Sequence, residues 1–453
     1  LKNKLNISED KSPLRFVTAA SLFDGHDAAI NVMRRMIQAE GAEVIHLGHN
    51  RSVKEIVEAA IQEDADGIAI SSYQGGHNEF FKYMYDMLNQ LGAQHIKIFG
   101  GGGGTITEEE IASLEEYGIE KIYHPNDGMR MGLDGMIKDL IARCEKSRRE
   151  NDKHRSAENN PYLVISQMIS AIEDNDFSEA RLNVLRKEWK LASDNCIVVG
   201  ITGTGGSGKS SVTDEIMSRF KMHLPKIRIG VLAVDPTRRR TGGALLGDRI
   251  RMNSLRDSTT FMRSMATRRQ HKSTSAILKD AITYMRSLDF NLIIVETAGI
   301  GQSDSEIVDL VDLSVYVMTS EYGASSQLEK IDMLDFADLI ILNKFDRKSS
   351  ADALRDIKKQ WKRNHNKFDC NDEDIPVYPT IASQFNDDGL SHMFVKLCNL
   401  IQQNRDSNDS EWIPEANFSA VTPDPSQIIP ASRSRYLAEI SERSRIIDKD
   451  IQI

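Results

Sequence analysis

The sequence CIVVGITGTGGSGKS, residues 196–210, joins an apolar run to a glycine-rich loop. The loop fits the pattern G-x-x-x-x-G-K-S. Backbone N–H groups of such a loop bind phosphates, its lysine neutralises the outer phosphate oxygens, and its serine hydroxyl is offered to Mg²⁺. A strand, this loop and an amphipathic helix, in that order, predict a P-loop domain with a parallel sheet. The predicted nucleotide-binding residues here are Gly203, Gly206, Ser207, Gly208, Lys209, Ser210 and Ser211.

The base of the nucleotide is predicted from LIILNKFD, residues 339–346. Asn343, Lys344 and Asp346 form N-K-x-D, the loop by which G-proteins read guanine. The aspartate accepts two hydrogen bonds from the guanine N1–H and N2 amine, which adenine cannot supply. TIAS, which ends at Ser383, is predicted to be the supporting loop whose backbone meets the guanine oxygen. The bound nucleotides are therefore predicted to be GTP and GDP.

Acidic residues end two further apolar runs. Asp235 ends RIGVLAVD, and Glu296 ends NLIIVE. Carboxylates at strand ends that face a P-loop are placed to hold Mg²⁺ directly or through water.

Between these two acidic residues lies a basic stretch, residues 238–272, which is either a phosphate-sensing switch or a solvated face. For most of its arginines we expect the solvated face.

Upstream of the P-loop, residues 15–147 alternate short apolar runs with helical patterns. The runs are RFVTAAS (15–21), AEVIHLG (42–48), GIAIS (67–71), IKIFGG (96–101) and KIYHP (121–125). Strands that alternate with helices predict a parallel sheet covered on both faces. We expect the flavodoxin-like order 2-1-3-4-5, with a ligand crevice at the carboxyl ends of the central strands.

Three unusual loops follow neighbouring strands of this predicted sheet. Asp24-Gly25-His26 follows the first strand, SSYQGG (71–76) the third, and five glycines (100–104) the fourth. Glycines permit backbone to approach a large ligand closely. A histidine two residues from an aspartate can donate one ring N–H to the carboxylate while its other nitrogen coordinates a metal. His26 is either such a ligand or a residue that helps to cap the following helix, and the shared crevice favours the ligand.

The three loops together resemble the cobalamin-binding domain of coenzyme-B12-dependent mutases, whose pattern is D-x-H-x-x-G, S-x-L and G-G. The resemblance implies that His26 is the axial cobalt ligand and Asp24 the partner that holds it. It also implies contacts to the nucleotide tail of the cofactor from Ser71, Gly101 and Gly102.

Two residues depart from that pattern, since Ala29 replaces a glycine and Tyr73 replaces a leucine. Neither removes the ligand. Three other histidines, His46, His49 and His77, lie near strand ends but lack the preceding carboxylate. We expect them to be loop or surface residues.

The P-loop region is similar to the G-protein chaperones of cobalamin mutases, in which a glutamate replaces the usual Walker-B aspartate. The resemblance implies catalytic roles for Lys209, Glu296 and Asp235 and a nucleotide contact from Arg251. The implied Mg²⁺ environment is Ser210, Asp235, Asp248, Glu296 and Thr297.

Composition limits the other functions. A net charge of -10 gives no reason to expect nucleic acid or an anionic membrane as a partner. The apolar runs are too short to span a bilayer and the first residues lack the core of a signal peptide, so we expect a cytoplasmic protein. The 4 cysteines show no C-x-x-C spacing. The absence of a Cys/His cluster argues against a nickel metallochaperone, and the absence of a DNA-binding module against a cobalamin-dependent gene sensor.

A cobalamin domain followed by a G-protein chaperone is the arrangement of the fused isobutyryl-CoA mutases. The predicted domains are a flavodoxin-like (βα)5 cobalamin-binding domain (1–147), a linker with a charged, solvated start and two helices (148–194), a P-loop G-protein domain (195–405) and a proline-rich segment with one helix (406–453). In that family a substrate-binding barrel follows. This α/β chain is therefore expected to be the front part of such an enzyme, or a subunit that meets its barrel in trans.

The resemblance also implies a reaction. It is an adenosylcobalamin-dependent radical 1,2 carbon-skeleton rearrangement of an acyl-CoA, with GTP hydrolysis gating cofactor loading and protection. The implied partners are an acyl-CoA substrate domain, a cobalamin adenosyltransferase and a second copy of the chain in a homodimer. The alternatives are a methylmalonyl-CoA mutase small subunit fused to its GTPase chaperone, and a stand-alone cobalamin-delivery GTPase.

Overall fold

The computed structural model describes residues 13–151, 160–192, 196–237, 243–256, 259–267, 271–297, 304–322, 325–405, 412–414 and 436–451. Contacts between Cα atoms divide the chain into two units. The first unit is Leu1–Thr202 with Lys209–Ser314, and the second is Gly203–Gly208 with Val315–Ile453. The division passes through the phosphate-loop motif, between Gly208 and Lys209.

The strands alternate with helices along the chain, as the sequence predicts. The strands are β1 (Arg15–Ser21), β2 (Glu43–Arg51), β3 (Gly67–Ser71), β4 (Lys97–Gly101), β5 (Lys121–Tyr123), β6 (Ile197–Gly203), β7 (Ile229–Pro236), β8 (Ala244–Leu246), β9 (Thr260–Thr267), β10 (Leu292–Thr297), β11 (Leu313–Met318), β12 (Leu339–Leu342) and β13 (Val377–Pro379). The α-helices are α1 (Ala28–Ala39), α2 (Val53–Gln62), α3 (His77–Gln90), α4 (Glu108–Tyr117), α5 (Pro125–Asn151), α6 (Pro161–Glu173), α7 (Glu179–Ala192), α8 (Lys209–His223), α9 (His271–Arg286), α10 (Met333–Phe336), α11 (Ser350–Asn364), α12 (Asp388–Asn404) and α13 (Tyr436–Ile451). Short 3-10 helices include Gly103–Thr105 and Asp248–Arg251.

The first sheet has the order β5-β4-β3-β1-β2, which confirms the predicted flavodoxin-like topology. Its strands are parallel and almost entirely buried, because helices cover both faces. A sixth strand, β8, pairs in parallel with β2, with Glu43 opposite Ala244 and Ile45 opposite Leu246. The sequence does not predict this strand, which comes from the P-loop region.

Local signals fix the helices around this sheet. Helix α2 begins with a capping box between Ser52 and Glu55, and α4 with one between Thr107 and Glu110. Helix α5 is interrupted at Gly132, whose φ of 72° is left-handed. Its turns beyond that residue pack apolar side chains on the sheet.

The segment between the two sheets differs in part from its prediction. Helices α6 and α7 are present as expected, with Pro161 in the first turn of α6 and Trp189 buried. However, α5 extends to Asn151, and Arg148 donates to Asp66 from Nε at 2.9 Å. The expectation of a solvated linker that starts at residue 148 is therefore wrong for this arginine. Residues 152–159 lie outside the described residues.

The second sheet is also parallel. In the first unit its strands follow the order β6-β10-β7-β9, with buried cores of Val, Ile and Leu. In the second unit β11, β12 and β13 pair in that order. Among the described residues, no helix has the length and hydropathy to cross a membrane. The four cysteines form no disulfide bond.

The end of the chain is described only in part. The predicted C-terminal helix is α13, in which Ile440, Ile446 and Ile447 are exposed. The side chains of Tyr436 and Leu437, and most of the proline-rich segment before them, lie outside the described residues.

Candidate functional site

The loop after β1 holds a histidine against a buried carboxylate. Asp24 is fully buried and uses both oxygens: Oδ1 lies 2.8 Å from the His26 ring Nδ1 and accepts the His26 backbone N–H, and Oδ2 accepts the Tyr73 backbone N–H at 2.7 Å. Burial raises the pKa of the Asp24 carboxyl, but the hydrogen bonds from Tyr73 and His26 outweigh burial and lower the pKa below its ordinary value. Asp24 is therefore an anion that only accepts hydrogen bonds.

This arrangement fixes the tautomer of His26. Because the carboxylate accepts, Nδ1 carries a proton, and in the neutral ring this leaves the lone pair on Nε2. The His26 side chain is 66% exposed, so Nε2 is open to a ligand. Helix α1 begins at Ala28 behind Asp27, and among the described contacts the His26 ring bonds Asp24 and no amide of that helix. The contacts suit a metal ligand better than a helix cap.

The three predicted loops do meet at one edge of the sheet. The Ser72 amide donates to the Gly101 carbonyl at 2.8 Å, and Ser21 Oγ donates to Ser72 Oγ at 3.0 Å. Ser71, at the end of β3, is buried, and its Oγ has no hydrogen-bond partner in the described part of the chain. A buried hydroxyl without a partner is costly, and a ligand that bonds it would remove that cost.

A cavity of about 300 Å³ opens beside these loops. Ser71 and Tyr73 line it together with backbone of the glycine run and with His124, and apolar side chains from α1, α5 and the sheet form most of the remaining wall. The Tyr73 ring lies 5.6 Å from the His26 ring. Tyr73, which departs from the family pattern, thus connects the histidine to the cavity, and the apolar wall suits the tail of a large cofactor.

The glycine run serves the protein's own packing as well as the cavity. A Cβ on Gly102 would lie 1.9 Å from the Ser72 carbonyl oxygen, and one on Gly100 would lie 2.5 Å from the Phe81 ring. A Cβ on Gly101 or on Gly104 would meet no close contact. Gly103 is left-handed, with a φ of 59°, and a Cβ on it would lie 2.8 Å from the Tyr73 ring. The expectation that the glycines exist for ligand approach is therefore incomplete, because three of them are required without any ligand.

The competing histidines are placed differently from their prediction. His46 and His77 are buried, so their assignment to loops or the surface is wrong, whereas His49 is exposed. His46 lies 3.0 Å from Thr18 Oγ1, and burial, with Arg34 nearby, lowers its pKa to about 4. His77 faces Glu110 at 3.3 Å. These contacts hold neighbouring elements together, and His46 stays neutral at physiological pH.

In the second unit, the N-K-x-D residues support the phosphate loop. Asn343 Nδ2 donates to the Ser207 carbonyl at 2.8 Å, and Lys344 Nζ donates to the Gly206 carbonyl at 2.7 Å. Asn343 Oδ1 in turn accepts the Ala382 amide at 3.0 Å. The loop from residue 203 to 208, the N-K-x-D loop and the TIAS loop are thus one connected group.

Glycines are required in the phosphate loop by backbone geometry. Gly203 has a φ of 146°, and a Cβ there would lie 1.9 Å from the Val317 carbonyl oxygen. Gly206 and Gly208 have φ of 75° and 93°. Asp346 and Ser383 are exposed, and within the described residues no hydrogen bond engages the Asp346 carboxylate. The carboxylate predicted to read guanine is therefore open to solvent and to a base.

In the first unit, part of the predicted Mg²⁺ environment is assembled. Ser210 Oγ, in the first turn of α8, donates to Glu296 Oε1 at 2.9 Å, and both residues are buried. Thr297 follows Glu296 on β10 and lies opposite Val234, the residue before Asp235. The Thr297 hydroxyl is buried without a partner among the described residues. No group of three or more His, Cys, Asp or Glu side chains that could hold a metal occurs in the described chain.

The remaining predicted site residues lie on two elements of the first unit. Lys209 and Ser211 lie in the first turn of α8. Asp248 and Arg251 lie on the 3-10 helix that follows β8; Arg251 is exposed, and the Asp248 side chain is outside the described residues. Their roles at the nucleotide stay predictions.

The sequence misses a buried ionic cluster in the first unit. Arg249 Nε donates to Glu63 Oε1 at 3.2 Å, and Arg263 Nη2 pairs with Glu173 Oε2 at 2.5 Å. Arg15 donates to Glu43 from the same cluster at 2.7 Å. The expectation that arginines of the basic stretch form a solvated face is wrong for Arg249 and Arg263, which are buried.

Two family models match different parts of the chain. The model described as methylmalonyl Co-A mutase-associated GTPase MeaB matches residues 165–408, and the B12 binding domain model matches residues 14–126. The chain is 50% identical over 447 residues to the fused isobutyryl-CoA mutase of Geobacillus kaustophilus (strain HTA426), covering 97% of this chain and 41% of that protein. It is also 50% identical over 440 residues to the fused isobutyryl-CoA mutase of Cupriavidus metallidurans, covering 95% of this chain and 40% of that protein.

A further relative matches the first region alone. The 2-hydroxyisobutanoyl-CoA mutase small subunit of Aquincola tertiaricarbonis is 30% identical over 133 residues, which cover 29% of this chain and 96% of that subunit. The chain spans about two fifths of the length of the two fused mutases that it matches, at 41% and 40%. The chain thus belongs to the family of methylmalonyl-CoA mutase-associated GTPases, MeaB, and it carries a B12-binding domain in front of the GTPase domain.

Proposed function

We propose that this chain is the cobalamin-binding and GTP-hydrolysing part of an adenosylcobalamin-dependent acyl-CoA mutase of the isobutyryl-CoA type. The observation that carries the proposal is the pair of Asp24 and His26, which presents an open Nε2 beside an apolar cavity. The fused isobutyryl-CoA mutases that the chain resembles along 95% or more of its length support the substrate class.

The residues at the first site fit a cobalamin. His26 would bind the cobalt through Nε2, Asp24 would keep Nδ1 protonated, and Ser71 would donate its unpartnered hydroxyl to the tail. Gly101 and Gly102 would border the tail with backbone, since both line the cavity. When bound, adenosylcobalamin supplies a carbon-centred radical that abstracts hydrogen from a substrate. The chain's own contribution is to orient the ligand and to hold the proton on Nδ1.

The guanine nucleotide is supported by a separate set of residues. Asp346 would accept the guanine N1–H and N2 amine, while Asn343 and Lys344 hold the phosphate loop as they do here. The left-handed glycines of the loop have no side chains that would block the backbone N–H groups, so phosphates can approach those groups. Lys209 would neutralise the outer phosphate oxygens, which fits a GTPase of the MeaB family.

Magnesium fits the donors at the start of α8 and the end of β10. Ser210 and Glu296 already contact each other, and Thr297 adds a buried hydroxyl. Hydroxyl and carboxylate oxygens are the ligands that Mg²⁺ prefers. Asp235 and Asp248 complete the proposed set of Mg²⁺ ligands. We further propose that Asp235 and Glu296 assist catalysis by polarising the attacking water, either directly or through the bound Mg²⁺.

GTP hydrolysis is proposed to gate cofactor loading and protection rather than to drive the rearrangement. Segments near the γ-phosphate change order when it leaves, which is how such switches act. The acyl-CoA is proposed to bind a separate substrate domain, in the same polypeptide or in trans, and a cobalamin adenosyltransferase and a second copy of the chain are proposed partners. On this proposal the 453-residue chain alone turns over no acyl-CoA.

The test is the spectrum of bound cobalamin. With the wild-type chain, adenosylcobalamin is expected to bind without its own base on the metal, and the Co(II) form to show nitrogen hyperfine splitting from the histidine. His26→Ala should remove that splitting and weaken binding. His49→Ala, which changes an exposed histidine near the same sheet edge, is the matched control. A spectrum that His26→Ala leaves unchanged would return His26 to a structural role.

A further inference from the structure

Strand β8 joins the two functional regions of the first unit. It lies between Asp235, proposed to serve Mg²⁺, and the 3-10 helix Asp248–Arg251, yet it pairs with β2 of the cobalamin-binding sheet. Residues just after β7 therefore extend the sheet whose loops hold His26. Pairing of this kind covers a sheet edge with backbone hydrogen bonds, so movement of β8 is transmitted to β2.

The segment that contains β8 is anchored from its other side. Arg249 donates to Glu63 Oε1 at 3.2 Å and to Gln62 Oε1 at 2.9 Å, at the end of α2. The same two side chains accept the Met262 and Ser264 amides of β9 at 3.2 and 2.9 Å. Side chains of the cobalamin-binding region thus cap the edge strand of the GTPase sheet. Each region covers an edge of the other, and relative sliding would break buried hydrogen bonds.

The contact between the segment and β2 lies close to the end of that strand. Ile250 packs on Gly48, where a Cβ would come within 2.8 Å of its Cδ1. Gly48 is left-handed, and the pairing of β1 with β2 shifts register between Thr18 and Ala19 and again between Ala19 and Ser21. Such irregularities bend a strand and re-aim its last side chains. Asn50 lies within the second irregularity, between Gly48, which pairs with Ala19, and Arg51, which pairs with Ser21.

Asn50 bonds the loop of the proposed cobalt ligand. Its Oδ1 accepts the Phe23 backbone N–H at 2.8 Å, one residue before Asp24. Both residues are left-handed, with φ of 55° for Asn50 and 63° for Phe23. Asparagine adopts the left-handed conformation readily, but in Phe23 this conformation is strained. Contacts such as the hydrogen bond to Asn50 must offset the cost of that strain. Asn50 therefore fixes the entry into the loop that carries Asp24 and His26.

We propose that Asn50 is a positioning residue through which the segment of residues 244–251 couples the nucleotide state to the proposed cobalt ligand. The inference rests on the proposed function of His26, and it adds the route by which gating reaches that residue. A shift of β8 and Ile250 moves the end of β2, Asn50 carries the shift to the Phe23 amide, and the adjoining Asp24–His26 pair is reoriented. Tight cobalamin binding then depends on which nucleotide is bound.

The experiment measures cobalamin affinity in two nucleotide states of the whole chain. Adenosylcobalamin is titrated by absorbance with GDP present, and then with a non-hydrolysable GTP analogue, and the ratio of the two Kd values is recorded. Couplings of this type are commonly about 5- to 150-fold. Asn50→Gly keeps the left-handed conformation but deletes the acceptor, so its ratio should fall to about one. Asn50→Asp keeps an acceptor oxygen and should retain the wild-type ratio.

Two further variants locate the effect. Asn175→Gly is the matched control, because Asn175 is also left-handed, with φ of 54°, and lies in the turn after α6. It should leave the ratio unchanged. Ile250→Ala removes the contact on Gly48 from the other end and should lower the ratio. Circular dichroism melting identifies any variant that fails to fold. If Asn50→Gly does not fold, Ile250→Ala tests the coupling from the other end, and an unchanged ratio in that variant contradicts the route through residues 244–251.

The outcomes separate this inference from the function on which it rests. A wild-type ratio of one overturns gating and the coupling together. A wild-type ratio well above one that Asn50→Gly preserves overturns the role of Asn50 and leaves gating intact. Loss of the ratio in Asn50→Gly with its retention in Asn50→Asp supports the positioning role. Unchanged spectra in His26→Ala contradict the proposed ligand, whatever Asn50 does.

Discussion

The two aspartates proposed for the two sites, Asp24 and Asp346, differ in burial and in hydrogen bonding. Asp24 is fully buried, and both of its oxygens accept hydrogen bonds from His26 and Tyr73. Asp346 is exposed, and its carboxylate accepts none from the described residues. Asp24 thus has its acceptor sites occupied by groups of the protein and is proposed to act through His26, whereas Asp346 has an accessible carboxylate and is proposed to contact the base directly. The comparison indicates that a buried, fully bonded carboxylate is suited to position a neighbouring side chain, whereas an exposed carboxylate is suited to bind a ligand.

The largest effect is expected where the aspartate itself contacts the ligand. Asp346→Asn removes a charged acceptor of two guanine hydrogen bonds, and each such bond contributes about 1.5 to 3 kcal/mol. GTP affinity should fall by about 100- to 10,000-fold, and xanthosine triphosphate should bind better than GTP because the exchanged pattern suits xanthine. Competition binding with labelled nucleotides measures both. Equal competition by ATP and GTP in the wild type would contradict guanine recognition.

A smaller effect is expected at the aspartate that acts through His26. Asp24→Asn keeps a side chain of the same shape but weakens the hold on Nδ1, and loss of such a partner typically costs about 10- to 100-fold in affinity. Cobalamin titration measures the change, and GTP hydrolysis should persist. A loss in Asp24→Asn as large as in His26→Ala would mean that Asp24 does more than orient the ring.

The glycine run offers a pair of variants that sharpens the same contrast between internal and ligand contacts. Gly102→Ala should destabilise the fold by about 1 to 3 kcal/mol, since its Cβ would meet the Ser72 carbonyl oxygen at 1.9 Å. Gly104→Ala places its Cβ in open space and should change stability little. Urea unfolding of both variants tests this. A Gly102→Ala chain as stable as wild type would show that backbone relaxation is easy there.

The smallest effect is the pH dependence of Asp24. Its pKa lies below the ordinary 3.8, so its stabilising contribution is fully present above that value and is lost as pH falls through the folded-state pKa. The difference in unfolding free energy between wild type and Asp24→Asn should therefore shrink as pH falls below about 4. Paired denaturation series measure it. A difference that grows on acidification would reverse the sign argued here.

Local sequence patterns predicted a good part of the site. Asp24, His26 and Ser71 come together because the carboxyl ends of neighbouring parallel strands meet at one edge, as the alternation of strands and helices implies. Asn343 and Lys344 support the phosphate loop, although their spacing from it is more than 130 residues. Such motifs can be read because their chemistry fixes both the residue types and their order.

Other features left no readable signal. Arg249 and Arg263 lie in a basic stretch whose composition suggests a solvated surface. Arg249 pairs with Glu63, 186 residues away in sequence, and Arg263 pairs with Glu173, 90 residues away. A charged side chain has the same letter whether it is exposed or paired in a core. Burial of the pair is decided by the packing of the elements that carry it.

The sequence by itself determined the two parallel α/β folds, the glycine-rich loop with the N-K-x-D residues that support it, and the histidine held by an aspartate. Periodicity and short spacings specify strands, turns and the groups at their ends. Only the tertiary structure decided that β8 extends the cobalamin-binding sheet, that Gln62 and Glu63 cap the edge of β9, and that Asn50 bonds the Phe23 amide. The physical reason is that an exposed strand edge offers backbone donors and acceptors that any suitably placed segment can satisfy. Which segment does so depends on how the regions pack, and no local pattern records that choice.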